Sequence, residues 1–147
     1  MTEALTIVVH GESGVGKSWF ADTAPAPRLI LDVEGGVRFT PSKKVRWDVR
    51  QEPPSDAETV VVTVQKREVA GQAYQWLNSG QHPFRSVVID SLTEFQKRIF
   101  DDLVGTARRR PIDWGDQFVI IDSLVRCYRD LVEHRDKPLE AVVFVCG

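Results

Sequence analysis

Cysteine is scarce in this 147-residue chain. The two present, Cys127 and Cys146, lack the paired spacing of a zinc site or a disulfide framework. Neither sign of charge dominates: nineteen Lys and Arg stand against twenty-one Asp and Glu, a net charge of −2. That balance excludes a polybasic, histone-like binder but leaves room for a local basic loop. No apolar run exceeds a handful of residues, so no membrane-spanning helix is expected. The start, Met1-Thr2-Glu3-Ala4-Leu5, has neither the basic region nor the long apolar stretch of a secretory signal. Reduced thiols without an export signal predict a cytoplasmic location and no membrane partner. The chain also lacks repeats and low-complexity tracts. Its length suits one domain, residues 1–147, with a real core but not two.

What is present alternates between two kinds of segment. Leu5–His10 is a short β-branched run that stops at Gly11, and it reads as a buried strand. Ser18–Ala24 reads as a short helix ended by Pro25 and Pro27. Arg28–Val33 is a second strand, closed by Gly35-Gly36. The polar stretch from Pro41 to Ala57 leaves room for a short edge strand around Val45–Val49. Thr59–Val64, Ser86–Asp90 and Ala141–Val145 complete five principal strands. Lys66–Asn78, Leu92–Val104 and Asp116–His134 carry apolar residues at helical spacing, with Gly105–Gly115 as a loop between the last two. Strands alternating with helices predict an α/β fold with a mostly parallel sheet and helices on both faces.

Two near-identical segments, Val88-Ile89-Asp90-Ser91-Leu92 and Ile120-Ile121-Asp122-Ser123-Leu124, call for opposite readings. The first follows a turn and precedes a helical pattern, so Asp90 belongs at a strand tip. The second lies among Phe118, Ile121, Val125, Tyr128 and Val132, spaced three and four apart, so Asp122 belongs on a helix face.

The chemistry concentrates at Gly11-Glu12-Ser13-Gly14-Val15-Gly16-Lys17-Ser18. It fits G-x-x-x-x-G-K-[ST] at every fixed position, with a strand before it and a helix after it. Glycines let the backbone curl so that successive N–H groups face phosphate oxygens. Lys17 is then expected on the β- and γ-phosphates of a nucleotide, and the Ser18 hydroxyl on Mg²⁺. Asp90 has the placing of a Walker B carboxylate that holds Mg²⁺ through its water shell. Its alternative is to cap the following helix, a task Ser91 could also perform. Glu34, just past the second strand, stands where a carboxylate can polarise a water for attack on the γ-phosphate. It can equally be a turn acid beside two glycines.

Asp32-Val33-Glu34-Gly35 matches the D-x-x-G of GTPases but follows Ser18 too soon to leave room for a first switch. No N-K-x-D guanine-reading motif exists, so ATP is the expected nucleotide. Arg108-Arg109-Arg110 is the densest basic cluster, and three guanidiniums could hold phosphates of a single strand, with Trp114 stacking on a base. A solvated loop, or a phosphate-clamping lid of a small-molecule kinase, fits the same residues. Lys43, Lys44 and Arg46 form a weaker patch that reads as surface.

The order of phosphate loop, strand ending Asp-x-Glu-Gly-Gly, strand ending Val-Ile-Asp-Ser, Asp113-Trp114-Gly115, long helix and final strand resembles the RecA-like ATPases. It is most similar to the short RecA-type nucleotide-binding proteins of tailed phages, regarded as recombination or single-strand-annealing ATPases. The resemblance implies a RecA-like P-loop core that binds ATP and Mg²⁺. It implies Glu34 as the catalytic glutamate, Asp90 as the Walker B residue and Arg108–Arg110 as part of a first loop that binds single-stranded DNA. It implies the cytoplasm of a host cell, if the chain is phage-encoded. It also implies a polar sensor at the tip of the strand matching Ala141–Val145, a strand set between the phosphate-loop strand and the Walker B strand. Here that tip is Cys146-Gly147, and the family's later strands do not follow, so the chain is expected to be C-terminally incomplete or reduced. Weak hydrolysis is expected, and so is self-association or a partner over the Leu5–Val9 edge. The alternatives are a nucleotide- or DNA-binding module with negligible turnover, and a small-molecule P-loop kinase.

Overall fold

The computed structural model describes the backbone of residues 4–12, 16–33, 35–106 and 114–147. Six strands form one sheet: β1 (Leu5–His10), β2 (Arg28–Asp32), β3 (Lys44–Arg46), β4 (Thr59–Thr63), β5 (Ser86–Asp90) and β6 (Ala141–Cys146). Their order is β1-β6-β5-β2-β4-β3, and all five pairings are parallel. The expected parallel α/β core is therefore present. The short edge strand expected around Val45–Val49 is β3, shorter and slightly earlier than expected.

The central strands β2 and β5 are buried along their whole length, as continuous β-branched and aliphatic runs require when both sheet faces are covered. One face carries the larger core. There Leu29, Leu31, Val60, Val62, Val87, Ile89, Val142 and Phe144 meet α2 (Arg67–Ser79), α3 (Leu92–Thr106) and α4 (Trp114–Arg129). The alternate residues Ile30, Val61, Val88, Val143 and Val145 form a smaller cluster under α1 (Lys17–Ala21) and a 3-10 turn at Gly36–Phe39. Helices thus lie on both faces, three on one and a five-residue helix on the other. Among the described residues no helix is long and apolar enough to cross a membrane.

α3 and α4 both reach into the segment expected to be a loop, so Gly105, Trp114 and Gly115 carry helical backbone. The near-repeat resolves as its periodicity requires. Asp90 ends β5, whereas Asp122 lies within α4 and pairs with Arg126, one turn on, at 3.0 Å. At the sheet's far side β1 is an edge strand, with Leu5 52% and Val8 64% exposed.

A buried histidine ties the end of α2 to β5. His82 Nδ1 accepts a hydrogen bond from the Phe84 N–H at 3.0 Å, and its ring stacks on Phe84. Burial, helped by the Lys137 and His134 charges, lowers its pKa from 6.5 to about 4. The unfolded chain therefore binds a proton that the native state refuses. Native stability should be constant above pH 6.5 and fall as the pH drops toward 4, by on the order of 3 kcal/mol from this group. His82→Asn keeps an acceptor for the Phe84 N–H, so urea titrations at pH 7 and pH 4.5 should show a smaller difference for the variant than for the parent chain. Equal differences would exclude His82 as the origin.

Candidate functional site

A parallel sheet brings the carboxyl ends of all its strands to one edge, and among the described residues Lys17, Ser18 and Asp90 meet there. Register places Asp32 of β2 beside Asp90 of β5, Asp90 beside Val145 of β6, and Cys146 of β6 beside His10 of β1. The strand ending in Cys146 lies between the phosphate-loop strand and the Asp90 strand, where the RecA-like order requires it.

After β1 the chain turns through Gly11 and Glu12, and it enters α1 from Gly16. That glycine has φ +91°, a left-handed conformation that a side chain would strain. Ser13, Gly14 and Val15 lie outside the described residues. Lys17 folds back over the loop, its Nζ donating to the Gly11 carbonyl and, at 3.1 Å, to the Glu12 carbonyl. Ser18 Oγ donates to Asp90 Oδ2 at 2.6 Å, joining residues 72 positions apart. Asp90 is 3% exposed, with a further interaction besides this one.

The capping alternative for Asp90 finds its answer one residue on. Ser91 Oγ accepts from the Glu94 N–H at 3.1 Å, and the Phe95 N–H bonds the Ser91 carbonyl. Ser91 is thus the cap of α3, and the Asp90 carboxylate faces Ser18 instead. A hydroxyl and a carboxylate in contact are hard oxygen donors, and Mg²⁺ is held by one or two such groups together with phosphates and water. The donor set therefore fits that ion. Among the described residues no group of three or more His, Cys, Asp or Glu side chains could hold a metal alone.

Glu34 lies outside the described residues, but both of its neighbours are fixed. The Val33 N–H donates to the Asp90 carbonyl at 2.8 Å. Asp32 Oδ1 accepts from the Gly35 N–H at 2.8 Å, and Gly35 has φ +85°. This Asx-type turn brackets position 34 and gives Asp32, only 6% exposed, a shaping role that the motif reading did not assign it. Its signal was present as an Asp three residues before a glycine. Arg98 of α3 was also missed. Its Nη2 lies 3.5 Å from the Val33 carbonyl, and its Nε is buried without a partner among the described residues. Nothing in the helical pattern separates Arg98 from an ordinary surface arginine.

At the β6 tip the Gly147 N–H donates to Thr93 Oγ1 at 3.0 Å. Burial pushes the Cys146 thiol above its usual range, against the pull of the Lys17 charge, so the tip presents a neutral thiol. Residues 107–113, with Arg108, Arg109, Arg110 and Asp113, lie outside the described residues, so the basic-loop expectation keeps its sequence basis alone.

A family model described as an AAA domain matches residues 3–118, which include the phosphate loop, Glu34, Asp90 and Arg108–Arg110. No curated protein matches the chain.

Lys17→Ala removes the ammonium that bonds the Gly11 and Glu12 carbonyls, and charge-assisted contacts to phosphate are the strong ones. ATP affinity measured by calorimetry with Mg²⁺ present should fall by about tenfold or more. Unchanged affinity would place the nucleotide elsewhere.

Proposed function

The chain belongs to the AAA-domain family of P-loop ATPases, and we propose that it binds Mg·ATP and hydrolyses it in a DNA recombination or annealing system of the phage type. The observation that carries the nucleotide half is the 2.6 Å contact between Ser18 Oγ and Asp90 Oδ2. It joins the last residue of the phosphate-loop motif to the tip of a strand far away in sequence, which a chance glycine-rich turn has no reason to do. The recombination half rests on the resemblance in motif order and on the basic run Arg108–Arg110.

In this reading the Gly11–Ser18 backbone wraps the β- and γ-phosphates. Phosphate oxygens replace the Gly11 and Glu12 carbonyls as acceptors of the Lys17 ammonium. Ser18 and Asp90 hold Mg²⁺, which when bound neutralises charge on the β- and γ-oxygens. Glu34 takes a proton from water as the water oxygen bonds to the γ-phosphorus. The bond to the β,γ-bridging oxygen breaks, and ADP and phosphate leave. Asp32 and Gly35 shape the backbone on either side of position 34. Arg98 supports the preceding carbonyl.

A second reading, nucleotide binding with little turnover, is favoured by one feature. The β6 tip beside the Asp90 strand carries Cys146, whose half-buried neutral thiol is a weaker hydrogen-bond partner for a phosphate oxygen than a glutamine or histidine.

Glu34→Gln keeps size and polarity but is a very poor base. It should leave ATP affinity within about twofold and lower phosphate release by roughly 100-fold or more. Loss of affinity together with turnover would make Glu34 a metal or structural residue. A parent chain that binds ATP tightly and releases no phosphate would establish the second reading.

A further inference from the structure

The second feature of the sheet's carboxyl edge lies across from the phosphate loop. After β3 the segment Trp47–Gln51 folds back beside α2. Two cavities, about 620 and 370 Å³, open between that segment and the helix. They share Val49, Arg50 and Gln72, so they form one continuous groove.

The groove is preformed. Trp47 Nε1 donates to the Gln51 carbonyl at 2.9 Å, and Trp76 Nε1 donates to the Val49 carbonyl at 2.7 Å. The two indole rings meet edge to face, 6.2 Å apart. Two tryptophans from opposite walls thus pin the segment and leave an apolar floor. The rim is polar. Gln72 and Gln75, exposed one turn apart on α2, supply amides from one wall, and Arg46 and Arg50 supply guanidiniums from the other.

Its balance of charge is positive. Among the described residues two guanidiniums, Arg46 and Arg50, line it against one carboxylate, Asp48, which the Arg50 fork grips, with Nη2 2.7 Å from Oδ2. The Arg50 guanidinium beside Asp48 holds that carboxyl down, to a pKa of about 2. Arg46 donates from Nη1 to Thr63 Oγ1 at 3.0 Å and has no carboxylate partner among the described residues. Lys66 follows three residues after Thr63, exposed at the start of α2.

We propose that this groove binds single-stranded nucleic acid. Guanidiniums contact phosphates, glutamine amides meet base edges, and the half-buried Trp76 ring, backed by the buried Trp47, receives a base or sugar face. α2 spans about 20 Å, the reach of a few nucleotides. Its mouth is tied to the nucleotide site by register. Thr63 stands beside Asp32, and Asp32 beside Asp90, so roughly 10 Å separates groove and metal carboxylate along the edge. The inference rests on the nucleic-acid half of the proposed function and is independent of ATP turnover.

The test uses the full chain and a fluorescein-labelled oligo-dT of about twenty nucleotides, with anisotropy followed across a salt series. Arg46→Ala should weaken binding roughly threefold to tenfold and reduce the salt slope by about 0.7. Gln72→Glu, an exposed helical change that should preserve the circular dichroism spectrum, should weaken binding to a similar degree. If both variants bind like the parent, the groove is not the site. Loss of binding on replacing Arg108, Arg109 and Arg110 by Ala would then keep the recombination reading and move the contact to that loop. No binding by the parent chain would overturn the groove and the nucleic-acid reading together, while ATP calorimetry stands on its own. Saturable binding of a labelled acidic peptide without oligonucleotide binding would overturn the proposal and reassign the groove to a polypeptide.

Discussion

The contact between Ser18 and Asp90 closes the molecule's functional edge. β6 lies between β1 and β5, so the contact links the start of α1 to a carboxylate two strands from β1. At that separation a side chain from the start of α1 reaches across the β6 tip. The parallel register fixes the remaining geometry, because it levels Asp32, Asp90 and the β6 tip along one line. Site and sheet topology are therefore one constraint seen at two scales.

Division of labour around Asp90 shows how local chemistry protects that contact. An aspartate just before a helix is a strong candidate to cap it. Ser91 takes that work, and the preceding carboxylate is released to face the phosphate loop. At the β2 exit the arrangement is reversed. Asp32 spends one carboxylate oxygen on the Gly35 N–H and so shapes the turn after β2.

The sequence was most legible where pattern and chemistry coincided. The complete phosphate-loop motif, the alternation of β-branched runs with helical spacing, and the contrast between Asp90 and Asp122 all follow from period and spacing, and the fold agrees with each. Boundaries were less legible. α3 and α4 run further into the Gly105–Gly115 segment than its glycines and proline suggested, because propensity is a weak prior near a helix end. Long-range contacts were not legible at all. Nothing local says that Arg98 approaches the Val33 carbonyl, or that Trp47 and Trp76 meet across a groove. Such pairings depend on the sheet order, which a single sequence carries only through a family resemblance.

The unequal covering of the two sheet faces has a thermodynamic consequence. The larger cluster joins three helices to the sheet, whereas α1 rests on the smaller one with a single 3-10 turn. Local opening starts where apolar contacts are fewest, so the α1 face of the sheet is expected to open first. A bound triphosphate would stabilise the folded state as a whole and, through Ser18 and Asp90, tie α1 to β5. Its protection should read out first as slowed hydrogen exchange in β1 and α1, whose local opening it would block directly. The nucleotide would act as the missing part of a thin core, and the molecule's stiffness would report its occupancy.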